Sequence, residues 1–232
     1  MKRLLYVCSL LVVLVLPVGA KACWISVTAT NAAGDSSTAL FTEETLNGGF
    51  DYTNDQSQQI SLEGIGFIEK LALFGMADPE IGAEFGVRAG PSLTTFTINS
   101  GLEAFAALTN PDAYASAGVT LTERSTPANG ATITGLFTGG KTNQAKYNGA
   151  TAFANLVSGF TITGGTLTKN EEQGNESSMI TISDTLTSIE SNFYFTLTAR
   201  DAASGTSTFV VIPEPATMCL LGLGGLLLRR KK

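Results

Sequence analysis

Apolar residues alternate with threonine or serine in many short runs along the middle of the chain. The runs occupy residues 25–28, 96–98, 132–134, 160–163, 180–183, 195–198 and 208–210. A period of two places the apolar side chains on one face of a β-strand and the hydroxyls on the other. Threonine is β-branched and is well suited to a half-exposed pleated surface. The pattern therefore predicts strands with one buried face.

Glycine and asparagine clusters separate these runs, at residues 47–49, 129–130, 139–140, 164–165 and 203–205. Such clusters are typical of turns between antiparallel strands. About nine to eleven short strands at this spacing predict an all-β, antiparallel β-sandwich or jelly-roll-like body. Long helical segments between strands are missing, which argues against a parallel α/β fold.

Three segments depart from the alternation, and we predict one to three short helices there. Residues 102–108 are rich in alanine and leucine, and residues 145–157 could form another short helix. Residues 79–88 are ambiguous. Residues 164–186 resemble a hairpin, with one strand ending near Thr168, a polar loop over residues 169–176 and a second strand starting near Met179.

The N-terminus has the order of a secretory signal peptide. Lys2 and Arg3 precede a short apolar core over residues 4–16. A positive start, a short apolar core and a small-residue exit are typical of cleavable export signals. We therefore predict a signal helix within residues 1–22, removed by a cut before Cys23, with small residues at the third and first positions before the cut, Ala20 and Ala22.

The C-terminus has three parts in a fixed order. Residues 213–215 combine two prolines with one acid, and neither a helix nor a central strand continues through prolines. The apolar run over residues 216–228 is about 20 Å long as a helix, shorter than the roughly 30 Å hydrocarbon core. This length favours a transient membrane segment, and its predicted membrane residues are Ala216, Leu220, Leu221, Leu223, Leu226, Leu227 and Leu228. The stop-transfer cations predicted to remain inside are Arg229, Arg230, Lys231 and Lys232.

This tail resembles the PEP-CTERM sorting signal of bacterial exported proteins. The resemblance lies in Pro213, Glu214 and Pro215, the glycine-containing apolar run and the basic end. It implies export, brief retention in the membrane and cutting by an exosortase, an integral-membrane transpeptidase-like enzyme. Members tend to occur in bacteria that make extracellular polysaccharide. The implied partners are therefore the export machinery, an exosortase-like enzyme, the membrane and an exopolysaccharide.

The predicted body, residues 23–212, is long enough for one sizeable core. It contains seven lysines and arginines against 19 acids, a net charge of about −12. This balance disfavours nucleic acid as a partner. Cys23 is the single cysteine of the body, so no disulfide forms within it. Acylation of Cys23 is an alternative, which the charge of Lys21 disfavours.

The chain contains no histidine. Its absence excludes Ser-His-Asp and Cys-His catalysis and histidine metal sites, while carboxylate chemistry stays open. We predict no enzyme activity, no cofactor and no metal. A glycoside hydrolase would need two acids about 5 to 9 Å apart, and no motif marks such a pair.

Three features suggest binding chemistry, and each has a structural alternative. Glu171, Glu172 and Glu176 are either calcium ligands or a solvated hairpin tip. Residues 51–56 form a calcium loop, a sugar-binding edge or a polar turn. Trp24 is either core packing or a sugar platform, and we favour packing. The predicted function is a structural or adhesive component of the cell surface or extracellular matrix; the alternative is a carbohydrate-binding module.

Overall fold

The computed structural model describes residues 24–42, 49–51, 53, 55, 57–76 and 79–212. Within these ranges the chain forms only β-strands, without a helix. The predicted signal helix and the predicted C-terminal membrane helix lie outside the described residues. No helix in the described ranges is long and apolar enough to cross a membrane.

Seventeen strands are described in chain order. They are β1 (Trp24–Asn31), β2 (Ser36–Thr42), β3 (Phe50–Asp51), β4 (Ile60–Leu62), β5 (Gly66–Met76), β6 (Glu80–Ala89), β7 (Thr94–Asn99), β8 (Glu103–Thr109), β9 (Asp112–Thr122), β10 (Ala131–Gly135), β11 (Lys141–Tyr147), β12 (Thr151–Ser158), β13 (Phe160–Ile162), β14 (Thr166–Gln173), β15 (Ile180–Thr181), β16 (Thr185–Leu197) and β17 (Ala202–Ile212). The predicted number of strands was therefore too low.

The strands form two antiparallel sheets. Sheet 1 has the order β12-β11-β16-β7-β1-β2, with β8 and β10 also on β16 and β13 on β10. Sheet 2 has the order β14-β9-β17-β6-β5-β3, with β15 on β9 and β4 on β5. Two packed antiparallel sheets confirm the sandwich prediction.

The core lies between the sheets and is filled by phenylalanine. The ring of Phe85 in sheet 2 lies 4.7 Å from Phe193 and 5.7 Å from Phe195 in sheet 1, centroid to centroid. Phe96 packs 5.9 Å from Phe195. All four side chains are fully buried. Because they face inward, the residues between them in sequence face solvent, as the two-residue period requires.

The three helix predictions were wrong. Residues 102–108 overlap β8, residues 145–157 cover the end of β11 and most of β12, and residues 79–88 lie largely in β6. The alanine-rich β8 pairs with the start of β16, where Ala104 is opposite Ser188. Sheet pairing thus overrides the helix propensity of alanine.

The predicted hairpin over residues 164–186 was also wrong in its loop. Residues 169–173 belong to β14, and only residues 174–179 form the connection between β14 and β15. β14 and β15 both pair with β9. They therefore lie one after the other along the same side of β9 and do not form a hairpin with each other. Nearly every side chain of β14 is exposed, which is why a polar, charged sequence suits this edge.

The last described strand, β17, occupies a central position in sheet 2. It pairs with β9 on one side over its whole length and with β6 on the other from Ala202 to Val210. Val210 is opposite Glu80, and Ile212 is opposite Asp112. The predicted sorting tail therefore follows directly from the interior of a sheet.

Candidate functional site

The outward side of sheet 1 is coated with hydroxyl groups. Along β16, Phe193 and Phe195 are buried, so Tyr194 between them points outward. Tyr194 is opposite Thr97 of β7, which is opposite Thr28 of β1. We call this surface the hydroxyl face; it comprises the outward residues Thr28, Thr30, Thr38, Thr95, Thr97, Thr134, Tyr194 and Thr196, together with Phe137.

An aromatic pair lies within the hydroxyl face. The rings of Phe137 and Tyr194 are 5.8 Å apart between centroids and tilted by 71° in an edge-to-face arrangement. Tyr194 keeps 36% of its surface exposed. Phe137 follows β10, and its backbone bridges to Lys141, which fixes the ring beside β16. The pair offers an apolar platform surrounded by polar groups.

The hydroxyls nearest this platform are available for hydrogen bonding. In the described part of the chain, the side chains of Thr95, Thr97 and Thr196 make no hydrogen bond to protein atoms. At the edge of the sheet the pattern differs, because Thr28 Oγ1 lies 2.8 Å from Thr38 Oγ1. A free hydroxyl can donate one hydrogen bond and accept two.

Charges lie at the margin of the hydroxyl face and are paired. Lys146 Nζ lies 3.0 Å from Glu190 Oε2. Glu190 Oε2 also accepts a hydrogen bond from Asn192 Nδ2 at 2.9 Å. Beside them, Gln144 donates to Asn155 Oδ1 at 2.8 Å. The surface around the aromatic pair therefore carries no unpaired charge among its named residues, and it also includes Leu136, which lies opposite Tyr194 and is 39% exposed.

A depression of about 710 Å³ continues the hydroxyl face beyond Thr196. Thr132 and Thr161 lie within it, with their Oγ1 atoms 2.9 Å apart. Its other lining residues are Leu93, Ala128, Asn129, Gly130, Ile162, Thr163, Thr198 and Ala199. This lining again combines hydroxyls, one amide and apolar atoms.

The outward side of sheet 2 differs in its charge and is called the charged face. It comprises Lys70, Glu84, Arg88, Glu172 and the residues around Gly118. Gly118 lies in a shallow depression of about 480 Å³. A Cβ atom at Gly118 would approach Asn170 Oδ1 to 2.3 Å, so the amide lies directly over the glycine. The outward side chains of this depression are Ser116, Asn170, Glu172, Thr206 and Thr208.

The buried carboxylate of Glu69 lies at one end of the charged face and accepts hydrogen bonds from several side chains. Glu69 occupies the irregular position of β5, where the register with β6 shifts. Its Oε1 atom accepts from Arg88 Nε at 3.1 Å, from an Arg124 guanidinium nitrogen at 2.8 Å and from Gln59 Nε2 at 3.0 Å. Only 3% of the Glu69 side chain is exposed. Removing this charge would leave two guanidinium groups without their counter-ion.

Lys70 joins two further carboxylates on the same face. Its Nζ atom lies 3.2 Å from Asp51 Oδ2 and 2.8 Å from Glu84 Oε1. Hydrogen bonds from Thr53, together with Lys70, lower the pKa of Asp51. The hydrogen bond to Glu84 raises the pKa of Lys70. A general acid requires a raised carboxyl pKa, so the shift of Asp51 runs against that role for this side chain.

The three glutamates considered as calcium ligands or a solvated hairpin tip point in different directions. Glu171 Oε2 lies 2.6 Å from Lys141 Nζ, and Glu171 Oε1 accepts from the Ser158 backbone at 3.0 Å. Glu172, as the next residue of the strand, faces the opposite side. Glu176 lies in the following loop near Tyr114. No cluster of three acidic or cysteine side chains that could hold a metal occurs among the described residues.

Two pKa shifts follow from these positions. Burial alone would raise the pKa of Glu171, but hydrogen bonds from Lys141 and the backbone at Ser158 and Val157 lower it overall. Burial, followed by the charges of Glu176 and Glu80, raises the pKa of Tyr114. Glu171 thus ties the edge of sheet 2 to sheet 1 as an ion pair.

The segment over residues 51–56 contains two polar turns. Asp51 Oδ1 accepts from the backbone and hydroxyl of Thr53, at 3.0 Å and 2.6 Å. Asp55 Oδ1 accepts in the same way from Ser57, at 3.1 Å and 2.6 Å. These are the hydrogen bonds expected of Asx turns. The sugar-binding candidates Tyr52 and Asn54 lie outside the described residues.

Trp24 begins β1 and is half buried. A Cβ atom at Gly101 would lie 3.1 Å from the indole ring, and Gly101 has a φ of +71°. The glycine therefore gives the ring room to pack, as the packing interpretation of Trp24 predicts. The predicted cut site (Ala20, Ala22 and Cys23) and the whole predicted sorting tail lie outside the described residues.

The sequence interpretation did not find the aromatic pair. Tyr194 and Phe137 are far apart along the chain and are brought together by the pairing of β10 with β16. One signal was available: an aromatic residue between two inward phenylalanines must face outward in a strand. Tyr194 could have been recognised by that rule, whereas Phe137 could not.

The comparisons with known proteins identify a sorting signal in the chain. The PEP-CTERM protein-sorting motif matches residues 211–232, which confirms the sequence resemblance. The chain therefore carries the sorting signal of an exported, cell-envelope protein. No curated protein matches the sequence.

Two solved structures show a distant likeness. The adhesin domain of Epf from Streptococcus pyogenes has a TM-score of 0.29 and 9% identity, covering 81% of this chain and 58% of that one. This chain thus spans less than two thirds of that structure. Infectious bursal disease virus, Gx strain, has a TM-score of 0.25 and 9% identity, covering 91% and 74%. At these scores the likenesses establish neither the fold nor the function of this chain.

Proposed function

We propose that this protein is displayed at the bacterial cell surface, where its two-sheet body is a structural or adhesive component of an extracellular polysaccharide matrix. Export and sorting to the envelope follow from the PEP-CTERM motif over residues 211–232, which is the observation that carries the proposal. In the proposal, the tail holds the chain in the membrane until an exosortase-like enzyme cuts it, after the export machinery has removed residues 1–22.

The position of the motif supports this function. β17 ends at Ile212, one residue before Pro213, and lies between two neighbouring strands. Little chain therefore separates the body from the sorting motif. A body held so close to the membrane suits a surface component better than a freely diffusing enzyme.

The proposal includes no catalytic activity. Several described carboxylates are engaged in ion pairs: Asp51 and Glu84 share Lys70, and Glu171 pairs with Lys141. Hydrogen bonds lower the pKa values of Asp51 and Glu171, whereas a general acid needs a raised carboxyl pKa.

Deletion of residues 213–232 tests the sorting step in expressing cells. We expect the truncated protein to appear in the medium while the full chain stays with the envelope. A matched variant that replaces Pro213, Glu214 and Pro215 by alanine keeps the apolar run and should remain in the membrane uncut. Intact-mass measurement of the exported protein reports both ends of the mature chain. Unchanged surface retention after the deletion would refute the proposal.

A further inference from the structure

We infer that the hydroxyl face of sheet 1 binds an uncharged polysaccharide, with Tyr194 and Phe137 as its centre. The inference rests on the proposed function only for the place where the polysaccharide would be met. It adds the class of partner and the binding surface, which the proposed adhesive role does not specify. The carrying observation is the aromatic pair, with ring centroids 5.8 Å apart and Tyr194 exposed by 36%, among the hydroxyls of sheet 1.

The chemistry of the surface matches the two sides of a sugar ring. The axial C–H groups of a hexose form an apolar patch that packs on an aromatic ring, and its hydroxyls need hydrogen-bonding partners around that ring. Tyr194 is exposed by 36% and provides the apolar platform. The side chains of Thr95, Thr97 and Thr196 supply hydroxyls that have no protein partner in the described ranges. Sites for small ligands have this composition, apolar surface with a few placed polar groups.

The extent of the face suits a polymer. Thr198 follows Tyr194 by four residues, which corresponds to about 13 Å along the sheet. At that point the face continues into the depression around Thr132 and Thr161. Several sugar units of one chain could therefore lie along β16, instead of one unit in a closed pocket.

The charges of the protein favour an uncharged polymer over an anionic one. The ionised groups beside the platform, Lys146 and Glu190, are paired at 3.0 Å, and the body as a whole is strongly acidic. Uronic-acid and sulfated polymers would be repelled by the net charge, and the two described lysines on this side of the sheet, Lys141 and Lys146, are already paired with glutamates. The charged face lacks the same combination, because Glu172 lies in its depression.

Affinity gel electrophoresis tests the inference with protein recovered from expressing cells. The probes are dextran, hydroxyethyl cellulose and galactomannan as uncharged polymers, and alginate as the anionic one. We expect at least one uncharged polymer to retard the protein and alginate to have no effect. Tyr194→Ala should weaken this retardation about tenfold, as expected for loss of one aromatic contact. Tyr194→Phe should retain most of it.

Phe74→Ala is the matched control on the opposite sheet. Phe74 is exposed by 44% on the charged face, so its removal deletes a similar aromatic surface from the other side of the molecule. We expect no change in retardation. Thr97→Ala is a second variant that removes a hydroxyl beside the platform and should also weaken binding, should Tyr194→Ala fail to fold.

Three outcomes would overturn the inference: no retardation by any uncharged polymer, equal retardation by alginate, or sensitivity to Phe74→Ala without sensitivity to Tyr194→Ala. Binding is measured on isolated protein and is independent of sorting. Its failure can thus be distinguished from a failure of the proposed surface location, which the deletion of residues 213–232 tests.

Discussion

The hydroxyl face of sheet 1 and the charged face of sheet 2 are built from the same alternating pattern but use their outward positions differently. On the charged face, Lys70 and Glu69 are each bonded to more than one partner from neighbouring strands. On the hydroxyl face, Thr95 and Thr97 have no side-chain partner among the described residues. The charged side chains of one surface are used in internal contacts, whereas the central hydroxyls of the other, Thr95 and Thr97, are available for a ligand.

This difference shows where stability and binding are located. Buried ion pairs are sensitive to the loss of one partner, whereas an exposed hydroxyl contributes little to folding. We therefore expect substitutions on the charged face to affect the free energy of unfolding, and substitutions on the hydroxyl face to affect binding. Four substitutions test this separation, beginning with the largest expected effect.

Glu69→Gln should have the largest effect. The substitution leaves Arg88 and Arg124 without their shared carboxylate in a partly buried setting, which should lower the free energy of unfolding by about 3 kcal/mol. Urea denaturation of the exported protein measures the change. Glu172→Gln on the exposed part of the same face is the control and should stay within about 0.5 kcal/mol. A loss for Glu69→Gln no larger than for this control would contradict the prediction.

Lys70→Met should lower the free energy of unfolding by about 1 kcal/mol. It removes the ammonium that lies between Asp51 and Glu84, so the two carboxylates repel one another. Because both side chains are partly exposed, salt should screen the effect. Denaturation at low and at high sodium chloride measures this dependence. Equal losses at both salt concentrations would show that the charge of Lys70 is not the cause.

Glu171→Gln should reduce the loss in the free energy of unfolding between pH 7 and pH 3 by about 0.5 to 1 kcal/mol. The pKa of Glu171 is lowered in the folded state, so its contribution is present above the unfolded value of about 4.3 and is lost as pH falls through the folded value. Urea denaturation between pH 7 and pH 3 compares the slopes of stability against pH. Identical slopes for the variant and the wild type would remove Glu171 from the acid response.

Thr97→Val should have the smallest effect on stability, within about 0.5 kcal/mol. Valine keeps the β-branched shape that suits the strand but removes the hydroxyl. Denaturation midpoints measure the change. A loss above 1 kcal/mol would mean that the hydroxyl face contributes to folding and would weaken its contrast with the charged face.

Much of the fold could be predicted from local alternation. The runs at residues 96–98, 160–163 and 195–198 fall in strands except for their last residue in the second and third, with Phe96, Phe160 and Phe195 buried as the period requires. Strand pairing could not be predicted, because β1 pairs with β7 and β16 pairs with four strands that are distant in sequence. Alternation identifies a buried face but carries no information about its neighbour.

The errors have the same origin. The alanine-rich β8 has a helix-favouring composition, and only its pairing with β16 makes it a strand. Residues 169–173 appear loop-like in sequence because both faces of an edge strand meet solvent. Only half of the candidate site could be predicted from the sequence. The outward direction of Tyr194 follows from its buried neighbours, but its contact with Phe137 depends on the fold.

The central position of β17 has a mechanical consequence. If the body is held from a point beyond Ile212, tension enters the sheet along β17 and loads its hydrogen bonds to β6 and β9 in parallel. An edge strand would be held by hydrogen bonds on one side only. A body held by its central strand should therefore resist a pull at its C-terminal end better than one held by an edge strand.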